Sequence, residues 1–314
     1  MDAMPAIHPR PGLPSRVSVY EVGPRDGLQA EKTVLPLPVK LELIDRLGDA
    51  GLVIIEATSF VSARWVPQLA DADDLMAALQ PRPGVRYPVL VPNERGFERA
   101  TAVGAGEIAI FVSATETFAK QNLGTTLDGA IDMAAPVVKA AKREGIPVRG
   151  YVSMCFGDPW EGRVDPAAPA AVAARLMELG CSTISLGDTI GVATAGHVVA
   201  VLDRVAAAGV PRDRTALHLH DTYGQALANV LAGLEAGVTE FDASAGGLGG
   251  CPYAKSATGN LATEDLVWML EGLGIETGVD LMKLAATSRW LAATLGRPSP
   301  SRVVAALGIE RLRH

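Results

Sequence analysis

Short apolar runs alternate with amphipathic stretches along almost the whole chain, and this alternation limits the fold more than any other feature. The apolar runs predict strands between residues 17 and 273, and the stretches between them have the three- and four-residue apolar spacing of helices. Glycines such as Gly180 and Gly237 follow the predicted helices, as is typical of helix C-termini. The predicted strands are Val17–Val22, Val53–Ala57, Tyr87–Val91, Ile108–Val112, Val148–Ser153, Thr183–Leu186, Thr215–His218 and Thr239–Asp242.

The number of strand–helix units predicts the fold class. About eight units in about 250 residues match the size of an α/β (β/α)8 TIM barrel. An open doubly wound sheet is the alternative, but no GxGxxG turn follows the first predicted strand. We therefore expect a flexible N-terminal segment at 1–15 and a TIM-barrel catalytic domain at 16–275. A C-terminal helical extension at 276–314, with a helix over Leu281–Leu295, is expected to pack on the barrel.

Composition excludes several classes of protein. Of 314 residues, 48% are hydrophobic and 20% are charged, which is enough apolar material for a core and excludes a disordered chain. The net charge of −7 argues against a nucleic-acid partner, because phosphates require a basic surface. Three cysteines do not make a disulfide framework, and no apolar run approaches the length of a membrane span. We therefore expect a cytoplasmic protein with no membrane partner.

Ionisable side chains gather where the predicted strands end, which in a TIM barrel is the functional face. Arg25, Asp26 and Gln29 follow the first strand, although a solvated turn would also explain that segment. His218 and His220 are two residues apart at the end of the seventh strand, so both imidazoles point to the same side. Paired histidines with nearby oxygen ligands suit Mg²⁺ or Mn²⁺, with Zn²⁺ as the alternative.

The remaining candidates follow other strands. Cys251 comes directly after a glycine-rich run, where a thiol can serve as an acid or a base or be a bystander in a flexible turn. Asn260 precedes a predicted helix. Glu56 and Asp188 follow the second and sixth strands, and burying either without a partner would be unfavourable. Both are interpreted as supports that orient a metal-binding histidine.

Five segments together resemble the hydroxymethylglutaryl-CoA lyase family of metal-dependent TIM-barrel lyases. They read EVGPRDGLQ at 21–29, IEATSFVS at 55–62, ISLGDTIG at 184–191, HLHDTYGQALAN at 218–229, and GLGGCPYA with GNLATEDL at 247–266. The resemblance spans about Val17 to Arg297. It implies cleavage of 3-hydroxy-3-methylglutaryl-CoA (HMG-CoA) to acetyl-CoA and acetoacetate, as in the breakdown of leucine and the formation of ketone bodies.

The resemblance also assigns roles to individual residues. It implies that Asp26, His218, His220 and Asn260 hold a divalent metal. It implies that Arg25 contacts the reacting acyl group and that Cys251 is catalytic, and Asp26 is a further catalytic candidate. Gln29 and Glu56 are expected to bind substrate beside Arg25, whereas Asp188 and Glu264 are expected to support the metal ligands. An acyl-CoA substrate and a homodimer or higher homo-oligomer are expected partners, and the general base is left open among Asp26, His218 and a bound water.

Two departures from the family pattern leave the substrate open. Asp158 stands where better-known members have a cysteine, and Ser244 and Ala245 are smaller than the usual residues before the glycine run. Smaller residues would leave more room beside the acyl group, so a lyase for a longer 3-hydroxyglutaryl-CoA is one alternative. A condensing enzyme of the same barrel group is another, although such synthases usually carry a further regulatory domain. A metal-dependent amidohydrolase is less compatible, because its paired histidines usually lie on the first strand.

Overall fold

The computed structural model describes residues 4–250 and 259–307. Its strands are β1 (Ser18–Glu21), β2 (Thr58–Ser59), β3 (Val89–Leu90), β4 (Ile108–Ser113), β5 (Val148–Ser153), β6 (Thr183–Asp188), β7 (Thr215–Leu219) and β8 (Glu240–Ala243). Its helices are α1 (Leu37–Asp49), α2 (Ala72–Ala78), α3 (Glu94–Ala102), α4 (Glu116–Leu123), α5 (Leu127–Arg143), α6 (Ala167–Leu179), α7 (Ala195–Ala207), α8 (Ala226–Glu235), α9 (Thr263–Gly272), α10 (Leu281–Leu295) and α11 (Arg302–Leu307).

The strands form one parallel sheet that closes on itself. Neighbours run in the order β1-β8-β7-β6-β5-β4-β3-β2, and a parallel bridge between Glu21 and Ile55 joins the two ends. The predicted TIM barrel is confirmed. The second strand is displaced from its prediction, because regular pairing begins only at Thr58. The predicted segment 53–57 instead contributes the isolated bridges of Ile54 and Ile55 that close the barrel.

Strand alternation separates two apolar layers. Val19, Ile110 and Val152 lie in the large cluster packed between the sheet and the helices. Tyr20, Ala109 and Tyr151, one residue away from these on the same strands, belong to a small cluster on the opposite, inner face of the sheet. This inner face also carries polar side chains, and the register pairs Asp242 with both Tyr20 and His218. The functional side chains therefore project from rigid strands rather than from loops alone.

The segment before β1 and the segment from α10 onward both contact the barrel. The His8 amide donates to the Gly272 carbonyl, and the Glu276 amide donates to the Ser15 carbonyl. At the other end, the Ser288 hydroxyl on α10 donates to the Glu264 carboxylate, and Arg297 pairs with Glu31. Among the described residues, no helix has the length and apolar character needed to cross a membrane.

Candidate active site

A tight turn directly after β1 presents the first two functional residues. Gly23–Gly27 forms a π-helical turn, which places Arg25 and Asp26 at the carboxyl end of the barrel. The turn packs closely on the segment after β8: a Cβ at Gly27 would lie 2.8 Å from the Leu248 Cβ and 2.9 Å from the Ser244 hydroxyl oxygen. Glycine at position 27 is therefore required by this close approach of two loops.

The fully buried Glu21 joins this turn to the segments after β8. One carboxylate oxygen accepts from the amides of Gly23 and Ala245, both at 2.8 Å. The other accepts from the Thr263 hydroxyl at 2.6 Å. Burial raises the pKa of Glu21 to about 7, although these three donors oppose the rise. Glu21 thus connects three separate parts of the site without contacting the metal-ligand candidates.

Asp26, His218 and His220 converge on one point, with one ligand atom of each within 4.8 Å of the others. The Nε2 atoms of the two histidines are 3.2 Å apart, and Asp26 Oδ2 lies 3.9 Å from His218 Nε2. Two nitrogens bound to one ion at about 2.1 Å would be separated by about 3.0 Å at right angles or about 3.4 Å in a tetrahedron. The observed separation fits two ligands of a single divalent ion.

Asn260 completes the donor set. Its Nδ2 donates to Asp26 Oδ2 at 2.7 Å and to the Leu248 carbonyl at 3.0 Å. Its Oδ1 is buried and has no hydrogen-bond partner within residues 4–250 and 259–307. A buried amide oxygen without a partner, beside a carboxylate and two imidazoles, is what a cation site offers before it is filled. The residues present therefore fit a divalent metal.

The surroundings keep Asp26 and His220 in the forms that bind metal. Burial would raise the pKa of Asp26, but Arg25 and the two histidines outweigh burial and hold it at about 2. Burial, together with the neighbouring His218, lowers the pKa of His220 to about 4. Metal ligands must be deprotonated, so a carboxylate and a neutral imidazole are already available at neutral pH.

Arg25 is held in a fixed orientation beside this cluster. Its Nε donates to Glu56 Oε2 and its Nη1 donates to Asp26 Oδ1, both at 2.7 Å. Its guanidinium carbon lies 5.4 Å from the centre of the Tyr151 ring, and the Tyr151 hydroxyl donates to the same Glu56 oxygen at 3.3 Å. The guanidinium is thus a buried, pre-oriented cation at the edge of the metal-ligand cluster.

The remaining predicted site residues lie outside the metal-ligand cluster. Gln29 lies one turn after Arg25, and its buried Oε1 has no hydrogen-bond partner among the described residues. Asp188 accepts from the amides of Val192 and Ala193 in its own loop, at 2.9 and 3.1 Å, and within the described residues it makes no hydrogen bond to a metal-ligand candidate. Glu264 accepts from the Gly246 amide and the Ser288 hydroxyl, so it supports the turn after β8. Cys251 lies outside the described residues.

Three functional side chains were missed by the sequence interpretation. Asp242 Oδ2 lies 3.1 Å from His218 Nδ1, in the position beside a metal-ligand candidate that was expected for Glu56 and Asp188. Tyr151 contacts Arg25 and Glu56, and Arg149 pairs with Asp242. All three lie on strands that were predicted, at positions that alternate with apolar residues. A polar residue on the inner face of a predicted barrel strand was the signal that could have identified them.

The two departures from the family pattern also have structural explanations. Asp158 is buried, accepts from the Thr115 hydroxyl at 2.6 Å, and accepts from the amides of Trp160 and Glu161. Its carboxylate therefore shapes the loop after β5. Ser244 and Ala245 are fully buried beneath the turn after β1. Their small side chains allow the two loops to pack closely.

Over most of its length the chain is similar in sequence to curated lyases. The 3-hydroxy-3-methylglutaryl-CoA lyase, cytoplasmic, of Danio rerio is 53% identical over 293 residues, which cover 93% of this chain and 87% of that protein. The hydroxymethylglutaryl-CoA lyase, mitochondrial, of Rattus norvegicus is 53% identical over 94% of this chain and 90% of its own length. Because the relatives carry both location names, the cytoplasmic assignment stays a prediction.

Solved structures and a family model extend the match to the whole fold. The crystal structure of hydroxymethylglutaryl-CoA lyase from Pseudomonas aeruginosa superposes with a TM-score of 0.92 at 48% identity, covering 94% of this chain and 98% of that one. The model of the HMGL-like family matches residues 16–291, which include every described metal-ligand candidate. The chain therefore belongs to the HMGL-like family.

Proposed function

We propose that this chain is a divalent-metal-dependent lyase that cleaves HMG-CoA to acetyl-CoA and acetoacetate. One observation carries the proposal: Asp26, His218 and His220 converge within 4.8 Å beside the buried Arg25. This arrangement supports a metal-ligand set with a fixed cation beside it. The relatives named as hydroxymethylglutaryl-CoA lyases support the choice of an acyl-CoA substrate.

Asp26, His218, His220 and Asn260 would hold the metal, with Mg²⁺ or Mn²⁺ as the proposed ion because oxygen donors make up half of the set. A divalent ion bound there supplies a Lewis acid that lowers the pKa of the substrate's tertiary hydroxyl. Asn260 Nδ2 and Arg25 Nη1 each donate to a different oxygen of Asp26, which fixes the orientation of that carboxylate. The chain thus presents its ligands in one geometry.

Arg25 is proposed to stabilise the charge that develops during carbon–carbon cleavage. Breaking this bond leaves negative charge on the acetyl-CoA fragment, delocalised onto the thioester oxygen. Two of the guanidinium's nitrogen atoms are engaged by Glu56 and Asp26, which leaves the third, Nη2, for that oxygen. Because Arg25 is only 6% exposed, its interaction with the developing charge is weakly screened by water.

Proton transfers are assigned to groups near the cluster. Asp26 or a bound water is proposed to accept the hydroxyl proton, because a metal-bound carboxylate keeps further lone pairs, whereas a neutral His218 that binds the metal through Nε2 has none left. Cys251 is proposed to deliver a proton to the acetyl-CoA carbanion. Cys251 follows Gly250 in the sequence, and the described residue Leu248, three positions earlier, packs on the turn after β1.

A product assay tests the proposed function. The purified protein would be given HMG-CoA and Mn²⁺ with a reductant, and acetoacetate would be measured. We expect acetoacetate from the wild type and large losses with EDTA or in Cys251→Ala. Cys181→Ala, which removes a buried thiol distant in sequence from the site, is the matched control and should retain activity. Absence of acetoacetate with metal-loaded wild type would refute the proposed reaction.

The substrate's 3-methyl group is the finer part of the proposal. Because Ser244 and Ala245 are buried beneath the turn after β1, we assign their small size to packing and favour the methyl substrate over a longer one. The relative kcat/KM for HMG-CoA and an analogue with an isohexenyl group in place of the methyl decides between them. A homodimer is likewise proposed, and light scattering at micromolar concentration tests it. A monomer mass would refute it.

A further inference from the structure

Asp242 receives hydrogen bonds on both of its carboxylate oxygens inside the barrel. It lies on β8, is 1% exposed, and is paired in register with His218 on β7. Its Oδ2 accepts from the Ser185 hydroxyl at 3.0 Å and lies 3.1 Å from His218 Nδ1. Its Oδ1 accepts from Arg149 Nη2. The carboxylate thus has three partners on three different strands.

The chemistry of this contact fixes which nitrogen of His218 carries the proton. A carboxylate paired with a guanidinium has no proton to donate, so it can only accept from an imidazole. His218 Nδ1 must then be the donor. In the neutral imidazole the lone pair is left on Nε2, which is the atom that faces His220 Nε2 and Asp26. That tautomer is the one able to bind a metal at the cluster.

Arg149 fixes the orientation of Asp242 in turn. It is 2% exposed and bonds Asp242 with one terminal nitrogen and Glu240 with the other. Its guanidinium carbon lies 4.1 Å from the centre of the Tyr20 ring and 5.2 Å from that of Tyr151. Arg149 can only donate hydrogen bonds, so whatever stands at position 242 must turn an acceptor toward it.

We propose that Asp242, held by Arg149, is a positioning residue that sets the tautomer of His218 for metal binding. The inference rests on the proposed metal site, and it assigns a function to two buried residues that are not among the metal-ligand candidates. Arg149 decides which way the side chain at 242 faces, and Asp242 decides which His218 nitrogen is free. The buried pair Arg149–Asp242 therefore fixes His218 in the tautomer that can bind a metal.

Asparagine at position 242 gives the sharpest test. In Asp242→Asn, Arg149 would retain the amide oxygen and turn the NH2 group toward His218. Nδ1 would then have to accept, and the proton would move to Nε2, where it blocks metal binding. We expect Mn²⁺ affinity, measured by electron paramagnetic resonance of free Mn²⁺, to fall about 10- to 100-fold. In ¹⁵N-histidine-labelled metal-free protein, the His218 resonances should exchange their protonated and unprotonated patterns.

Two further variants separate positioning from loss of structure. Ser185→Ala removes the other hydrogen bond to the same Asp242 oxygen but leaves the carboxylate, so Mn²⁺ affinity should stay within about threefold of wild type. In the double variant Arg149→Leu, Asp242→Asn, the amide is free to present its oxygen to His218. We expect the double variant to bind Mn²⁺ more tightly than Asp242→Asn, which a purely structural role would not produce.

The wild-type tautomer decides the inference even where a variant fails to fold. The His218 resonances are assigned as those missing from His218→Gln. At a pH where the His218 imidazole is neutral, a proton on Nε2 in place of Nδ1 in metal-free wild type would overturn the inference, as would unchanged Mn²⁺ affinity in a folded Asp242→Asn. Wild-type protein that bound no Mn²⁺ would instead refute the proposed metal site, and the tautomer measurement would still decide the role of Asp242.

Discussion

Individual buried side chains fix the geometry of this site. The contact of Glu56 with Arg25 provides the first test. Glu56 contacts Arg25 at 2.7 Å and is fully buried, so its carboxylate fixes the guanidinium that is proposed to meet the thioester oxygen. In Glu56→Gln the ion pair is lost, and we expect kcat/KM to fall about 10- to 100-fold, mainly through kcat. Steady-state kinetics with HMG-CoA provides the measurement.

A second ion pair gives the control for Glu56. Glu42→Gln removes the partner of Arg46, an exposed pair four residues apart on α1. Its kcat/KM should remain close to wild type. Equal losses in the two variants would contradict a specific role for Glu56.

The buried Glu264 predicts how stability depends on pH. Burial raises its pKa to about 8, although donors such as the Ser288 hydroxyl oppose the rise. The folded state then keeps a proton that the unfolded chain loses above about pH 4.3, so the folded state binds more protons and stability falls as pH rises toward 8. Glu21, with a pKa of about 7, acts in the same direction. We therefore expect the melting temperature to decline between pH 5 and pH 8.

A variant of Glu264 measures how much of the decline in melting temperature comes from this residue rather than from Glu21. Glu264→Gln keeps an amide oxygen for the Gly246 amide but has no ionisable proton, so its melting temperature should decline less steeply with pH than that of wild type. Glu98→Gln on the exposed face of α3 is the matched control and should reproduce the wild-type curve. A Glu264→Gln curve parallel to wild type would exclude ionisation of Glu264 as the cause.

At the scale of elements, apolar periodicity was sufficient to predict the barrel. The prediction Val148–Ser153 coincides with β5, and Leu281–Leu295 coincides with α10, because both segments have clear periodicity and flanking helix or strand breakers. The second strand was wrong by several residues, because Ile54 and Ile55 are apolar yet form only isolated bridges. Hydropathy reports burial, and burial does not distinguish a barrel-closing bridge from a regular ladder.

The turn after β1 is the element whose geometry can be tested most directly. In Gly27→Ala the new Cβ would lie within 2.9 Å of both the Leu248 Cβ and the Ser244 hydroxyl oxygen, so the turn carrying Arg25 and Asp26 must shift. We expect a loss of about 1–3 kcal/mol in the free energy of unfolding and weaker Mn²⁺ binding. Gly27 is not among the residues with positive φ, so backbone strain does not complicate the result.

A glycine in open space is the control for that turn. Gly106→Ala places its Cβ where, apart from its chain neighbours, no atom of the described residues lies within 4 Å, and its φ is not positive. It should leave both the unfolding free energy and Mn²⁺ binding unchanged within error. Urea denaturation and Mn²⁺ titration of both variants provide the comparison, and a neutral Gly27→Ala would show that the two loops can separate without loss.

At the scale of the whole molecule, the metal-ligand candidates could be predicted from the sequence, but the residues that contact and orient them could not. Asp26, His218 and Asn260 are separated by many residues, and the β1–β8–β7 strand order brings them together. Their residue types and the motifs around them can be recognised in the amino-acid sequence alone. The role of Asp242 depends on its register opposite His218 and on Arg149 from β5, and such pairings follow only from three-dimensional packing. Supporting residues are therefore harder to predict than ligands.

Because the metal-ligand candidates lie on or after three different strands, β1, β7 and β8, metal binding should stabilise the entire barrel. A ligand that binds only the folded state adds about 2.7 kcal/mol at 100 times its Kd, which corresponds to several degrees in melting temperature. We expect Mn²⁺ to raise the wild-type melting temperature and EDTA to reverse the rise. His220→Gln should lose this metal-induced increase, whereas His197→Gln on α7 should retain it. An increase of equal size in His220→Gln would place the stabilising ion elsewhere, since that variant lacks one of the convergent ligands.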